Sequence, residues 1–212
     1  TTWQPIAEKQ QITFDFGKSE KFDAIYTIYG EGDTNSNPSA YQIGTNQIQI
    51  YASNDLKDWV HIASLNQGNI YTYAIEQGNW QYRYIKLINL NNNSSLTEIG
   101  FRNEDHTGFL PVSILRDKQK DGPYPGSLLI DEQDKLVLSP TYYDQAYFDE
   151  IYHVRNAWEI ANGQYMYANV HPLLGTNIIA LSIHLFGMNP LAWRLPGAIA
   201  GVFMLPVLYG IL

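Results

Sequence analysis

The C-terminal part of the chain is almost free of charge, and this feature constrains the fold more than any other. In the stretch 161–212, Arg194 is the one residue with a formal charge, whereas the preceding part is rich in Asp, Glu and Lys. Residues 192–212 are apolar and number about the 20 that a helix needs to cross a bilayer. Pro196 and Pro206 are more common in membrane helices than in soluble ones. We therefore expect a water-facing body joined to a transmembrane helix, and a buried core helix is the alternative.

The overall composition narrows the range of partners. The 212 residues include 13 Lys and Arg against 21 Asp and Glu, and the net charge of -8 argues against a nucleic-acid partner. The absence of cysteine excludes a disulfide framework and a thiolate metal site. Thr1 is not an initiator methionine, and Leu212 ends inside an apolar run, so we expect a fragment of a longer protein.

Short β-type runs separated by turn residues fill the first half of the chain. The runs are ITFDF, FDAIYTIYG, IQIYAS, VHIASL, IYTYAI, YRYIKLINL and LTEIGF. Their length and their content of Ile, Tyr, Thr and Phe predict an antiparallel β-sandwich over residues 1–105. Residues 106–140 are predicted to be a connector, in which VSIL, SLLI and KLVL are candidate short strands.

Three segments of this region resemble the discoidin, or galactose-binding-like, sandwich family: FDFGK, IQIYASNDLKDW, and RYIKLINLNN followed by LTEIGF. In that family the turn made here by Ser53, Asp55 and Trp59 and the strand that begins at Arg83 are structural marks. The resemblance implies that loops at one end bind a glycan or a lipid head group. Trp59 and Trp80 are candidates for stacking on a sugar, although packing against the sheet is the more common role of such residues.

A helical pattern precedes the apolar tail, inside the segment 141–191. Apolar residues at helical spacing predict an α-helix over about 144–161. Thr141 or Asp144 is expected to cap its start, and Asn162-Gly163 to end it.

Polar groups on this helix are the candidate catalytic residues. Asp149, His153 and Asn156 share one face because they are spaced by four and three residues, whereas Glu150 is rotated away from Asp149 by about 100°. The two acids are therefore expected to have different roles. A metal site built from Asp149, Glu150, His153 and His171 is a less favoured alternative.

Four motifs in fixed order resemble the protein O-mannosyltransferase family: YFDEIYH, HPLLG, FGMNP and WRLPG. These are multi-span membrane enzymes of the GT-C type that use a polyprenyl- or dolichyl-phosphate sugar. The resemblance covers about residues 140–212. It implies that Asp149 and Glu150 lie on the first external loop, that residues up to about 190 face the lumen or cell exterior, and that Arg194 opens the second membrane helix.

The resemblance also implies a chemistry for these residues. Asp149 would accept the proton of a Ser or Thr hydroxyl as that oxygen displaces the lipid phosphate, with inversion at the anomeric carbon. Arg194 would either stabilise the leaving phosphate or anchor its helix at the interface. Glu150 would orient the acceptor or hold the loop, and His153 and His171 would contact donor or acceptor. No metal or cofactor is implied beyond the donor substrate, polyprenyl- or dolichyl-phosphate mannose.

The sequence departs from the family pattern at two positions. Where the family has His-Pro-Pro-Leu-Gly-Lys, this chain has Leu173 in place of the second proline and Thr176 in place of the lysine. The first change relaxes a turn, and the second removes a charge that would meet phosphate. The first hypothesis is a fragment of an integral-membrane O-mannosyltransferase, inactive alone. The second is a membrane-tethered carbohydrate-binding or adhesion protein without catalysis.

Overall fold

The computed structural model describes residues 2–3, 9–30, 48–65, 70–90, 95–166 and 171–212. These residues form two compact units, the first ending at Ser139 and the second beginning at Pro140. The first unit holds the strands β1 (Gln11–Tyr29), β2 (Ile48–Ser53), β3 (Val60–Leu65), β4 (Tyr73–Asn89), β5 (Leu96–Arg102) and β6 (Ser113–Asp117). The second holds the helices α1 (Glu150–Ala161), α2 (Leu173–Phe186) and α3 (Pro190–Ile211).

In the described part of the first unit, the six strands form one antiparallel, sandwich-like sheet. Their order is β3-β2-β4-β1-β5, and β6 also pairs with β1. β5 pairs with the C-terminal half of β1 and β6 with its N-terminal half, so both lie along the same edge of that strand. The prediction of a mainly antiparallel β fold for this part of the chain is confirmed.

Two of the predicted strand boundaries are wrong. ITFDF and FDAIYTIYG were expected to be separate strands, but they are joined in β1, and IYTYAI and YRYIKLINL are joined in the same way in β4. Gly17, with φ of 80°, lies in an irregularity between Asp15 and Glu20 rather than in a hairpin turn, and its N–H donates to the Asp15 carboxylate over 2.7 Å. The irregularities let the long strands bend without losing their pairing.

The core of the first unit is built from buried apolar residues of β1 and of its neighbours. Its largest fully buried side chains are Trp3, Phe14, Phe22, Phe101, Ile12, Ile25, Ile48, Ile50, Leu65, Ile85, Leu87 and Leu96. The Phe101 ring lies edge-on to Phe14, Phe16 and Phe22, with centroids 5.1–6.2 Å apart. Burying each of these large side chains stabilises the fold by about 1.5–3 kcal/mol.

The segment 106–140, expected to be a connector, belongs to the first unit up to Ser139. Part of VSIL forms β6 as expected, but the first three residues of SLLI lie in a 3-10 helix, Gly126–Leu129, and KLVL forms no strand. The Asp117 carboxylate accepts a hydrogen bond of 2.7 Å from the Gly126 N–H, and Leu129 is buried in the core. Apolar side chains of this segment, such as Leu129, cover the sheet, so the segment packs as part of the first unit.

A buried acid holds the end of this segment against the sheet. Glu98 on β5 is 3% exposed, and its carboxyl accepts a 2.7 Å hydrogen bond from the Glu132 N–H. The Gln133 side chain donates to the Ile99 carbonyl over 2.9 Å, and the Tyr26 hydroxyl donates to the Leu138 carbonyl over 2.8 Å. Burial, aided by the nearby Asp131 and opposed by the hydrogen bond from the Glu132 N–H, raises the pKa of Glu98 to about 8.

In the second unit α1 packs on α2, and α2 packs on α3. Gly187, with φ of 83°, ends α2 in a conformation that favours glycine. Asn189 caps α3 by accepting a 3.0 Å hydrogen bond from the Ala192 N–H, and Pro190 occupies the first helical position. The Ser182 hydroxyl donates to the Ala192 carbonyl over 2.6 Å, which ties the two helices together where they meet.

Among the described residues, α3 is the one helix that is long and apolar enough to cross a membrane. Its 22 residues span about 33 Å, which matches a hydrocarbon core of about 30 Å. Val202, Phe203 and Leu205 are among its many exposed apolar side chains. The predicted membrane helix, 192–212, agrees with α3 to within two residues at each end.

Candidate active site

The helix that carries the Asp-Glu pair begins later than predicted. Thr141 and Asp144 were expected to cap it, but they close a turn of their own, in which the Thr141 N–H and hydroxyl both donate to the Asp144 carboxylate over 2.8 Å. Phe148 then adopts a φ of 52°, rare for a bulky residue, and α1 starts at Glu150. The predicted end is confirmed, because the helix stops at Ala161 and Gly163 has a φ of 68°.

Asp149 lies at the N-cap position of α1 with an exposed side chain. Its backbone carbonyl accepts hydrogen bonds from the N–H groups of Tyr152 and His153, over 3.1 and 3.3 Å. Its carboxylate makes no capping hydrogen bond and has no ion-pair partner among the residues that the structure describes. This carboxylate is therefore open to a ligand.

Glu150 has a different environment, because it forms a two-pronged ion pair with Arg194. The Arg194 Nε donates to Glu150 Oε1 and the Arg194 Nη2 donates to Glu150 Oε2, each over 2.7 Å. Both side chains are 29% exposed. Paired hydrogen bonds of this geometry are the strong form of a carboxylate–guanidinium interaction.

The same arginine also binds the backbone of the loop before α1. Its Nη2 donates to the carbonyl oxygens of Tyr142 and Gln145 over 2.7 and 3.1 Å, and Glu150 Oε2 accepts from the Tyr147 N–H over 3.1 Å. Burial by itself would raise the pKa of Glu150, but the hydrogen bonds from Arg194 and from the Tyr147 N–H bring it below its ordinary value. Glu150 is thus an ionised structural partner of Arg194.

This pairing was not predicted from the sequence. Arg194 was assigned to the donor phosphate or to the interface, and Glu150 to the acceptor or to the loop. A signal was present, since a lone arginine in an apolar segment needs a negative partner or a polar surface, and the acids that precede it most closely in the sequence are Glu159, Glu150 and Asp149. In the structure Glu159 pairs with Arg155 and Glu150 pairs with Arg194, a choice that the sequence did not reveal.

The two histidines named as substrate contacts come together in the structure. The rings of His153 on α1 and His171, just before α2, have centroids 4.8 Å apart and are tilted by 43°. His171 is exposed and His153 is half-buried. Within the described ranges no group of three or more His, Asp or Glu side chains is placed to hold a metal ion.

Some polar residues of α1 and α2 are buried. Asn156, expected to share a face with Asp149, is buried, and so is Glu159, which pairs with Arg155 over 3.0 Å. Thr176, which stands where the family pattern has lysine, is also buried. This position therefore offers no surface cation.

The two tryptophans considered for sugar stacking are engaged within the first unit. The Lys86 Nζ lies 3.9 Å from the centroid of the Trp59 ring, and the half-buried Trp80 packs on Phe22 at 5.3 Å. The structural marks of the sandwich are formed by other contacts: the Ser53 hydroxyl bonds the Asp55 carboxylate over 3.0 Å. Packing, the more ordinary role, is the one that the structure shows.

Comparison with known proteins confirms the resemblance to the mannosyltransferases. The chain is 36% identical over 72 residues to a polyprenol-phosphate-mannose–protein mannosyltransferase of Mycolicibacterium smegmatis. The matched residues cover 31% of this chain and 14% of that protein. A protein of the same name from Mycobacterium tuberculosis is 35% identical over 63 residues, covering 27% and 12%. The chain thus spans about one seventh of the length of these relatives. No protein-family model matches the sequence.

The solved structures that are similar include carbohydrate-binding modules. One is CpGH89CBM32-6 produced by Clostridium perfringens, with a TM-score of 0.39, 19% identity, and coverage of 49% of this chain and 76% of that one. Another is the CBM32 of AlyQ in complex with 4,5-unsaturated mannuronic acid, with a TM-score of 0.36, 20% identity, and coverage of 49% and 78%. The relatives and α3 together indicate a membrane-associated protein related to glycosyltransferases.

Proposed function

We propose that this chain is the part of a membrane mannosyltransferase that carries the catalytic base, and that the enzyme moves mannose from a polyprenyl phosphate to protein Ser or Thr hydroxyls. The observation that carries the proposal is the contrast between the two adjacent acids. Asp149 is exposed and open, whereas Glu150 is committed to Arg194. The names of the relatives support the donor and the acceptor.

Asp149 is the proposed base. A Ser or Thr hydroxyl is a weak nucleophile at neutral pH and needs a positioned group to accept its proton. The hydroxyl oxygen forms the new bond to the anomeric carbon, the bond from that carbon to the phosphate oxygen breaks, and the proton passes to the Asp149 carboxylate. Direct displacement inverts the anomeric configuration.

Arg194 is proposed to position the loop rather than to bind the donor phosphate. Its Nε and Nη2 are occupied by Glu150 and by the carbonyls of Tyr142 and Gln145. The His153–His171 pair is the better candidate for the phosphate, because its rings adjoin at the surface and imidazole N–H groups are donors. On this proposal the residues before α3 lie on the outer side of the membrane, where a lipid-linked donor presents its sugar.

The test uses the full-length protein in membranes, with labelled polyprenyl-phosphate mannose and a Ser- and Thr-rich acceptor peptide. The expected result is labelled peptide whose sugar has the anomeric configuration opposite to that of the donor. Release of label to water but not to peptide would refute the acceptor class, and retained configuration would refute direct displacement. Glycan binding without any transfer would favour the tethered binder.

A further inference from the structure

The loop that leads into Asp149 exposes an unusual number of aromatic rings. Tyr142, Tyr143, Tyr147 and Phe148, here called the aromatic loop, are all exposed, and Tyr143 and Phe148 reach 84% and 73%. The rings of Tyr142 and Tyr147 have centroids 4.2 Å apart, and those of Tyr147 and Phe148 lie 6.3 Å apart. Clustered exposed apolar surface of this kind marks a site of interaction.

The backbone of the aromatic loop is fastened to the start of α3. Arg194 is the fifth residue of that helix and binds the Tyr142 carbonyl over 2.7 Å, while Glu150, held by the same arginine, accepts from the Tyr147 N–H. At about 1.5 Å per residue, Arg194 lies about 6 Å from the helix start. The aromatic loop is therefore fixed at the level of the first turns of α3.

That level is the boundary between hydrocarbon and head groups if α3 spans the bilayer. The helix is only about 3 Å longer than a typical hydrocarbon core, so its first turns lie at the edge of that core. Tyrosine is enriched at this depth because its ring is apolar and its hydroxyl is polar. Phe148, the residue before Asp149, has a φ of 52°, and its ring is exposed.

We propose that the aromatic loop is a membrane-interface anchor, with its four rings inserted at the glycerol and head-group level of the bilayer. The occupant is lipid rather than protein, because the rings lie at the level of the first turns of α3, whose apolar side chains are exposed, and at the depth that tyrosine prefers. The anchor sets the height of Asp149 above the hydrocarbon, at the plane where a polyprenyl phosphate emerges. This inference rests on the membrane-spanning role of α3, which belongs to the proposed function.

The chain contains no cysteine, so spin labels can be placed one at a time. We would label Tyr143→Cys and Phe148→Cys in a cysteine-free background of the full-length protein, reconstituted in phosphatidylcholine nanodiscs. Val202→Cys on the exposed side of α3 is the lipid reference, and Lys57→Cys on an exposed turn of the first unit is the water reference. Power saturation with oxygen and with a nickel chelate then gives the depth of each label.

The expected result is a ratio of oxygen to nickel accessibility at Tyr143→Cys and Phe148→Cys that lies between the two references. Values equal to those of Lys57→Cys would place the aromatic loop in water, and inaccessibility to both reagents would show that protein covers it. Either outcome overturns the anchor. If Val202→Cys itself is accessible to the nickel chelate, the membrane role of α3 fails first, so the two failures are distinguishable without an activity assay.

Discussion

The Glu150–Arg194 pair gives the sharpest quantitative prediction. Glu150→Gln removes the charge but keeps the shape, and Arg194→Lys keeps the charge but loses the fork that binds the carboxylate and two backbone carbonyls. If the pair acts only by holding Asp149 in place, each single change displaces the same loop. A misplacement of about 1 Å costs about 100-fold in rate, so each variant should lose about 10- to 100-fold in kcat.

The size of the coupling follows from the exposure of the pair. Exposed pairs contribute about 0–1 kcal/mol, whereas breaking a buried pair costs about 3–5 kcal/mol. With both side chains 29% exposed, we expect a coupling free energy of about 1–3 kcal/mol between the two sites. The double variant should therefore be about 5- to 150-fold faster than the product of the two single losses predicts.

A double-mutant cycle on kcat and on the donor KM, in full-length protein at matched expression, measures this coupling. Losses that multiply in the double variant would show that the two residues act independently. A rise in the donor KM that occurs only in Arg194→Lys would show that the arginine contacts the donor phosphate. Either result would refute the positioning role.

Two further predictions concern the first unit. Glu98→Gln should remove a pH dependence of the free energy of unfolding. The Glu98 carboxyl of the folded chain keeps its proton up to pH about 8, whereas the unfolded chain releases it near pH 4.5, so the wild-type free energy of unfolding should fall by about 1–2 kcal/mol from pH 6 to pH 8. Denaturant unfolding of the variant at the two pH values should show no such fall. Gly100→Ala places a methyl group 2.6 Å from both Leu136 and Phe109, whereas Gly108→Ala meets nothing within 4 Å. The first should lose about 1–3 kcal/mol in the same assay and the second less than about 0.5 kcal/mol, and equal losses would contradict the packing described here.

Local patterns predicted the elements whose signals lie within a few residues of each other. The length and the residue content of the runs IQIYAS and VHIASL predicted β2 and β3, and Asn162-Gly163 predicted the end of α1. The apolar run gave α3 to within two residues. In each case the deciding residues are neighbours in sequence, so no partner strand or helix needs to be known.

The wrong predictions concern features that depend on residues far away in the sequence. The residues between ITFDF and FDAIYTIYG were predicted to form a turn, but β1 pairs with β4 on both sides of them, so they form an irregularity within one strand. Thr141 reads as a helix cap, but its hydroxyl bonds Asp144 in a separate turn. The bond between Glu150 and Arg194 joins residues 44 positions apart, and the fold alone brings them together.

Asp149→Asn in the full-length enzyme tests the central claim most directly. The change is nearly isosteric and removes the ability to accept a proton, so donor binding should stay within about threefold while single-turnover transfer falls by about 10²- to 10⁴-fold. Asp105→Asn, at an exposed turn in the first unit, is the matched control and should transfer at the wild-type rate. Transfer by Asp149→Asn at the wild-type rate would contradict the assignment of this carboxylate as the base.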